Sequence, residues 1–126
     1  MRINRSLLFS GIASSLLAIA PAKAQPPANA DPELAPFYHG LTLPGQNQGY
    51  CCSAADCRSV VAEWRNGHWE VFIDKKTYGE SAPNDWRSVP DSKISPDPDV
   101  SKKPEGATAC WYQNEVRCFN PPRFGS

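Results

Sequence analysis

The sequence predicts a small, mainly β domain: an antiparallel sheet or open barrel of about five short strands with a short N-terminal helix, stapled by disulfides. Three observations carry that reading. Asn66-Gly67 separates two runs rich in β-branched and aromatic residues. All five cysteines fall in the second part of the chain, after residue 50. Thirteen prolines break the chain so often that only short elements fit between them.

The first hairpin is the clearest element. Asn-Gly suits a two-residue turn, because both central positions need positive φ. Counting outward over residues 59–74 pairs Arg65 with His68, Trp64 with Trp69, Ala62 with Val71 and Val60 with Ile73. Strand alternation then gathers Val60, Ala62, Trp64, Trp69, Val71 and Ile73 on one face. The other face carries Val61, Glu63, Arg65, His68, Glu70 and Phe72, as expected of a sheet with one wet side. Residues 78–85 read as a loop and residues 86–89 as a third strand stopped by Pro90. Residues 91–106 are polar and proline-rich and read as a surface loop, with Ile94 its one core candidate. Residues 107–112 and 116–119 form a second hairpin around Gln113-Asn114-Glu115. Ahead of the sheet, Asp31 can cap a helix that begins at Pro32. Its stripe is Leu34, Phe37, Tyr38 and Leu41, and Gly40 is its stop. Ser53 and Asp56 suggest one further helical turn.

The chain has two parts. Arg2 and Arg5 precede an uncharged apolar run over residues 7–20, then Pro21 and the small-x-small triplet Ala22-Lys23-Ala24. That is the layout of a secretory signal, cleaved after Ala24. The apolar run falls short of the roughly 20 residues of a spanning helix. Residues 25–126 then form a single domain, with nothing to hold it in a membrane after cleavage. Loss of Arg2, Arg5 and Lys23 turns a formally neutral chain mildly acidic. No basic cluster exceeds a lysine pair, which argues against nucleic acid as a partner.

Export places Cys51, Cys52, Cys57, Cys110 and Cys118 in an oxidising compartment, periplasmic or extracellular, where disulfides persist. Two pairing schemes stay open. In the first, Cys110 bonds Cys118 across the second hairpin, provided its loop has three residues, and Cys51 or Cys52 bonds Cys57. In the second, long-range bridges tie residues 51–57 to that hairpin. A thiol-redox or metal site centred on Cys51, Cys52 and Cys57 is the functional alternative, although their spacing matches neither Cys-x-x-Cys nor paired zinc knuckles.

The stretch Gly49-Tyr50-Cys51-Cys52 with Asp56-Cys57-Arg58, the later Trp86-Arg87-Ser88-Val89-Pro90, and the ending Val116-Arg117-Cys118-Phe119-Asn120-Pro121 together resemble small exported bacterial proteins. In those, a Cys-Cys…Asp-Cys segment precedes a Trp-containing hairpin and a terminal Cys-Phe-x-Pro segment. The resemblance implies compartment and scaffold, and carries no activity with it.

No catalytic triad, phosphate loop or cofactor motif is present in the sequence, so the expectation is a protein that is not an enzyme and uses no cofactor. Its expected function is non-catalytic binding of a protein or glycan partner. Trp86, Trp111, Tyr112 and His68 are the candidate surface, because aromatic side chains that escape the core make binding patches. An inhibitor-like module or weak hydrolase is the remaining alternative.

Overall fold

The computed structural model describes residues 23–24, 26–27, 30–44, 51 and 57–123. Most of the predicted signal segment, Cys52 and the helical turn expected at Ser53 lie outside the described residues. Five strands make one antiparallel sheet: β1 (Cys57–Arg65), β2 (His68–Ile73), β3 (Asp85–Val89), β4 (Ala107–Tyr112) and β5 (Glu115–Asn120), in spatial order β3-β2-β1-β4-β5. The sheet curls into an open half-barrel. A 3-10 turn at Pro32–Leu34 leads into α1 (Ala35–Gly40), and a single helical turn, α2 (Lys75–Tyr78), follows β2. No helix among the described residues is long and apolar enough to cross a membrane.

The first hairpin forms as the Asn-Gly turn dictates. Asn66 and Gly67 take φ of 53° and 81°, and Trp64 pairs with Trp69 and Arg65 with His68. The inner side of the curl is the larger core. Val71, Ile73, Ala82, Val89, Ala109, Trp111, Val116 and Phe119 are buried there, with Val60, Ala62, Trp69 and Ile94 against them. Trp64 shares this face but sits at the hairpin tip, 56% exposed, touching Trp69 edge-on at 5.5 Å between centroids.

The second hairpin departs from its expected form. Its turn has two residues, Gln113 and Asn114, both at positive φ (50° and 63°), and Tyr112 pairs with Glu115. A two-residue loop alone would set Cys110 and Cys118 on opposite faces. A bulge in β5 at Arg117 adds one residue, shifts the register and brings the two cysteines directly opposite.

They do not bond to each other. Cys110 bonds Cys57 across β1–β4, with Cα atoms 4.1 Å apart, and Cys118 bonds Cys51, with Cα atoms 5.2 Å apart. The hairpin bridge Cys110–Cys118 and a bridge from Cys51 to Cys57 are therefore both corrected in favour of the long-range scheme. The physical reason is the register: Cys57, Cys110 and Cys118 line up across three strands on the outer side of the sheet. Cys57 and Cys110 are direct cross-strand neighbours, which leaves Cys118 to take Cys51 from above.

A second core covers those sulfurs. Phe37, Tyr38 and Leu41 of the N-terminal segment pack on Cys51, Cys57, Cys110 and Cys118, and Ala24 is buried among them. Leu34 contributes less than the stripe suggested, being only partly buried. Gly40 is more than a helix stop. A Cβ there would lie 2.7 Å from the Cβ of Pro98, so the glycine lets α1 approach that proline.

The proline-rich loop is ordered along the edge of β5. Ile94 makes a parallel bridge to Phe119, and the Ser95 N–H donates to the Phe119 carbonyl at 2.7 Å. Ser95 Oγ accepts from the Thr42 N–H at 3.1 Å, joining the N-terminal segment to the same edge.

Candidate functional site

The sequence-predicted surface does not form one patch. Strand alternation and register divide its four residues between two places. Trp86 and His68 lie on the outer, wet side of β2 and β3; Trp111 is buried in the inner core and, with Tyr112, reaches the mouth of the half-barrel.

The outer side of β1–β3 is an aromatic and charged plateau. Register aligns Val61, Phe72 and Trp86 in one row across three strands. Phe72 meets Trp86 edge-on at 5.5 Å, and Val61 is 63% exposed. Glu63 and Glu70 stand directly opposite one another, a like-charge pair that disfavours the sheet unless neutralised. Arg65 supplies the neutralisation. Its Nε donates to Glu63 at 2.7 Å, Nη1 lies 3.5 Å from Glu70, and its guanidinium stacks 4.1 Å from the Trp86 ring centroid. His68 stands 3.6 Å from Glu70 and 3.2 Å from Ser88 Oγ.

The mouth of the half-barrel holds a cleft of about 530 Å³ between α2 and the β4–β5 turn. Tyr78, Ser81, Trp111, Tyr112, Gln113 and Asn114 line it. Each element has a local cause. Asp74 caps α2 by accepting from the Thr77 N–H at 2.7 Å, so the chain turns back over the sheet and carries Tyr78 with it. The Tyr78 hydroxyl donates to the Ala109 carbonyl at 3.0 Å, which holds that ring above β4. The positive-φ turn sets Gln113 and Asn114 on the rim, and Arg117 donates to Gln113 Oε1 at 2.8 Å. A smaller cleft of about 130 Å³, lined by Arg58, Thr77, Tyr78 and Trp111, adjoins the same two aromatic residues.

A third concavity, of about 400 Å³, lies where the proline-rich loop meets the end of β5. Its charges are internally matched. Asp97 accepts from Asn120 Nδ2 at 3.0 Å and from Arg123 Nη1 at 3.0 Å, and Lys103 stands 3.7 Å away. The Asn120 bond first, then Arg123, hold the Asp97 carboxyl below the usual carboxylate range. At the N-terminal segment the Asp31 carboxyl is lowered in the same way, by Lys102 Nζ at 2.7 Å and then by the Glu33 N–H. Burial raises the Tyr38 phenol, with Arg58 opposing the shift. These groups hold the covering of the outer core in place.

Of the cysteines singled out as a redox or metal centre, Cys51 and Cys57 are each half of a disulfide, and Cys52 lies outside the described residues. His39 is exposed on α1. Asp97 and Asp99, in the proline-rich loop, part ways: the first is a structural acceptor, the second a solvated carboxylate.

Sequence reading missed Tyr78 and Ser81, because it took residues 78–85 as a loop and did not see α2. The signal was there: Asp74 three residues before Thr77 is a capping pattern.

Comparison of the chain with family models, with curated proteins and with solved structures finds no match. The class is therefore defined by the fold itself: a doubly bridged β half-barrel with an aromatic cleft at its mouth.

Proposed function

We propose that this is an exported, non-catalytic binding domain whose ligand sits in the cleft at the mouth of the half-barrel. One observation carries the reading. Trp111, Tyr112 and Tyr78 converge on a concavity whose volume falls in the range of small-ligand sites, roughly 300–1,000 Å³, and barrel mouths are a preferred place for such sites. The chemistry there is that of recognition: rings for contact area, amides and a hydroxyl for orientation. Two disulfides suit work in an oxidising compartment and support the export reading.

Two measurements test it. Terminal sequencing of the protein recovered outside the cytosol is expected to begin at Gln25; an uncut chain retained inside the cell overturns the export reading. Backbone and indole N–H spectra titrated with a panel of oligosaccharides and short peptides are expected to shift at Ser81, Trp111 and Gln113. Shifts confined to the outer plateau would instead favour a second reading, docking of a protein partner. The stack of Arg65 on Trp86 beside exposed Val61 supports that one, since Arg and Trp dominate protein interfaces.

A further inference from the structure

We infer that the ligand class of the mouth cleft is a neutral oligosaccharide, an inference that rests on the binding reading above and narrows it. The first support is the charge of the lining. Among the described residues the lining, Tyr78, Ser81, Trp111, Tyr112, Gln113 and Asn114, carries no formal charge, in a chain where about one residue in five is charged. A cleft built for an anion or cation concentrates opposite charge on its walls. Arg58 lines the adjoining smaller cleft, where its Nη1 donates to the Cys57 carbonyl, and Arg117 of the hairpin is engaged by Gln113 Oε1, Glu115 and the Tyr112 carbonyl.

The second support is the pairing of rings with neutral hydrogen-bonding groups. The face of an aromatic ring is the negative part of its quadrupole. It attracts the polarised C–H groups on the apolar face of a sugar ring, while the sugar's hydroxyls need partners that both donate and accept. Amides and hydroxyls do both. Gln113 and Asn114 present two amides on the rim, and Ser81 presents a hydroxyl on the facing wall. A purely apolar ligand would leave those groups unpaired.

The third support is rigidity. Sugars bind weakly per atom, so walls that must first be ordered would cost the affinity. These walls are fixed beforehand: Trp111 is buried in the core, Tyr78 is tied to Ala109, and the turn is locked by Arg117.

The test uses the processed protein with four probes: cellotriose, chitotriose, trigalacturonate and trialanine. Saturation-transfer NMR and calorimetry read binding. Cellotriose or chitotriose is expected to take up saturation at its ring C–H protons. Ser81→Trp, an exposed substitution that fills the cleft without touching the core, is expected to weaken that binding at least about tenfold, with the circular dichroism spectrum unchanged. Asn114→Asp, which sets a charge on the rim, is expected to weaken it less. Binding of trigalacturonate or trialanine at the cleft, with neither neutral sugar bound, overturns the ligand class and leaves the binding reading standing. Neutral sugars binding equally well to Ser81→Trp overturn the site. Silence from all four probes, with no shift at Ser81, Trp111 or Gln113, overturns both.

Discussion

One face of one sheet is finished in two ways. Over β4 and β5 the outer face is roofed by α1 and the chain after it. Phe37, Tyr38 and Leu41 bury two disulfides there, and the sheet edge is closed by the backbone of Ile94 and Ser95. Over β1–β3 no described segment roofs the same face: Val61 is exposed, and Phe72, Trp86 and a carboxylate–arginine cluster are partly so. There, side chains of β3 itself cap the edge. The Trp86 N–H donates to Asp85 Oδ1 at 2.7 Å, and the Trp86 carbonyl accepts from Arg87 at 3.1 Å. The difference teaches where each half gets its stability. The bare half is a local hairpin that zips from a strong turn. The roofed half is assembled from segments far apart in the chain, so it depends on crosslinks and on tight seating of the roof.

Removing the crosslinks breaks that comparison most severely. The bond from Cys51 to Cys118 spans 67 residues. In the chain-entropy model a closure of that length is worth about 4 kcal/mol, a large part of the roughly 5–15 kcal/mol that holds a small domain together. Replacing Cys51 and Cys118 by serine together should therefore lower the denaturant midpoint sharply. Hydrogen exchange should show protection lost first in β4, β5 and α1, and retained longest at the β1–β2 turn. Uniform loss across both hairpins would mean the halves are one cooperative unit.

Seating of the roof comes next in size. In Gly40→Ala the new methyl would meet Pro98 at 2.7 Å, and the neighbour is backbone-constrained proline rather than a flexible tip. Overpacking of this kind costs about 1–3 kcal/mol, readable as a fall in the melting temperature. A fall of similar size in Val61→Ala, on the bare half, would erase the contrast, since exposed positions usually stay within about 0.5 kcal/mol.

The two halves also differ in how readable they were. Asn66-Gly67 and strict alternation state the turn, the register and the buried face of the first hairpin, because every interaction involved is local. Gln113-Asn114 concealed its geometry. A bulge at Arg117 leaves no mark in composition, yet it alone decides which side Cys118 faces and so which cysteine it can reach. The roof was half legible: the stripe Phe37, Tyr38 and Leu41 announced an apolar face but not the sulfurs beneath it. Gly40 looked like a helix stop because its actual partner, Pro98, is distant in sequence. The four aromatic and histidine candidates stand on two surfaces. They are divided because Trp86 and His68 lie on the wet side of β2 and β3, whereas the curl of the sheet brings Trp111 and Tyr112 of β4 to the mouth, and spacing does not encode that curl.

Thr108 sharpens the same contrast with a change of the opposite sign. It lies under the roof, 1% exposed, and its hydroxyl is the one buried side-chain oxygen among the described residues with no hydrogen-bond partner. Burial of an unpaired hydroxyl costs about 1–3 kcal/mol. Thr108→Val keeps the shape and removes the desolvated group, so it should raise stability by about 1 kcal/mol. A loss of stability instead would show that an ordered water satisfies the hydroxyl there.

The smallest expected effect is a response of the roofed half to acid. Asp97 has its carboxyl lowered by Asn120 and then Arg123, and Asp31 by Lys102 and then the Glu33 N–H. A carboxyl with a lower pKa in the folded state binds its proton less tightly folded than unfolded. Its contribution is therefore whole above the ordinary carboxylate pKa and drains away as pH falls through the lowered one. Both groups are well exposed to solvent, so the effect on global stability is modest and salt-sensitive. It should surface locally, as lower protection factors (exchange rates corrected for the intrinsic pH dependence) at the Ser95 N–H and the α1 amides in acid. In Asp97→Asn the Ser95 response should flatten while the α1 response, which follows Asp31, remains. If both responses persist unchanged in that variant, the edge of β5 is held by its backbone bonds alone and the Asp97 cluster adds nothing to it.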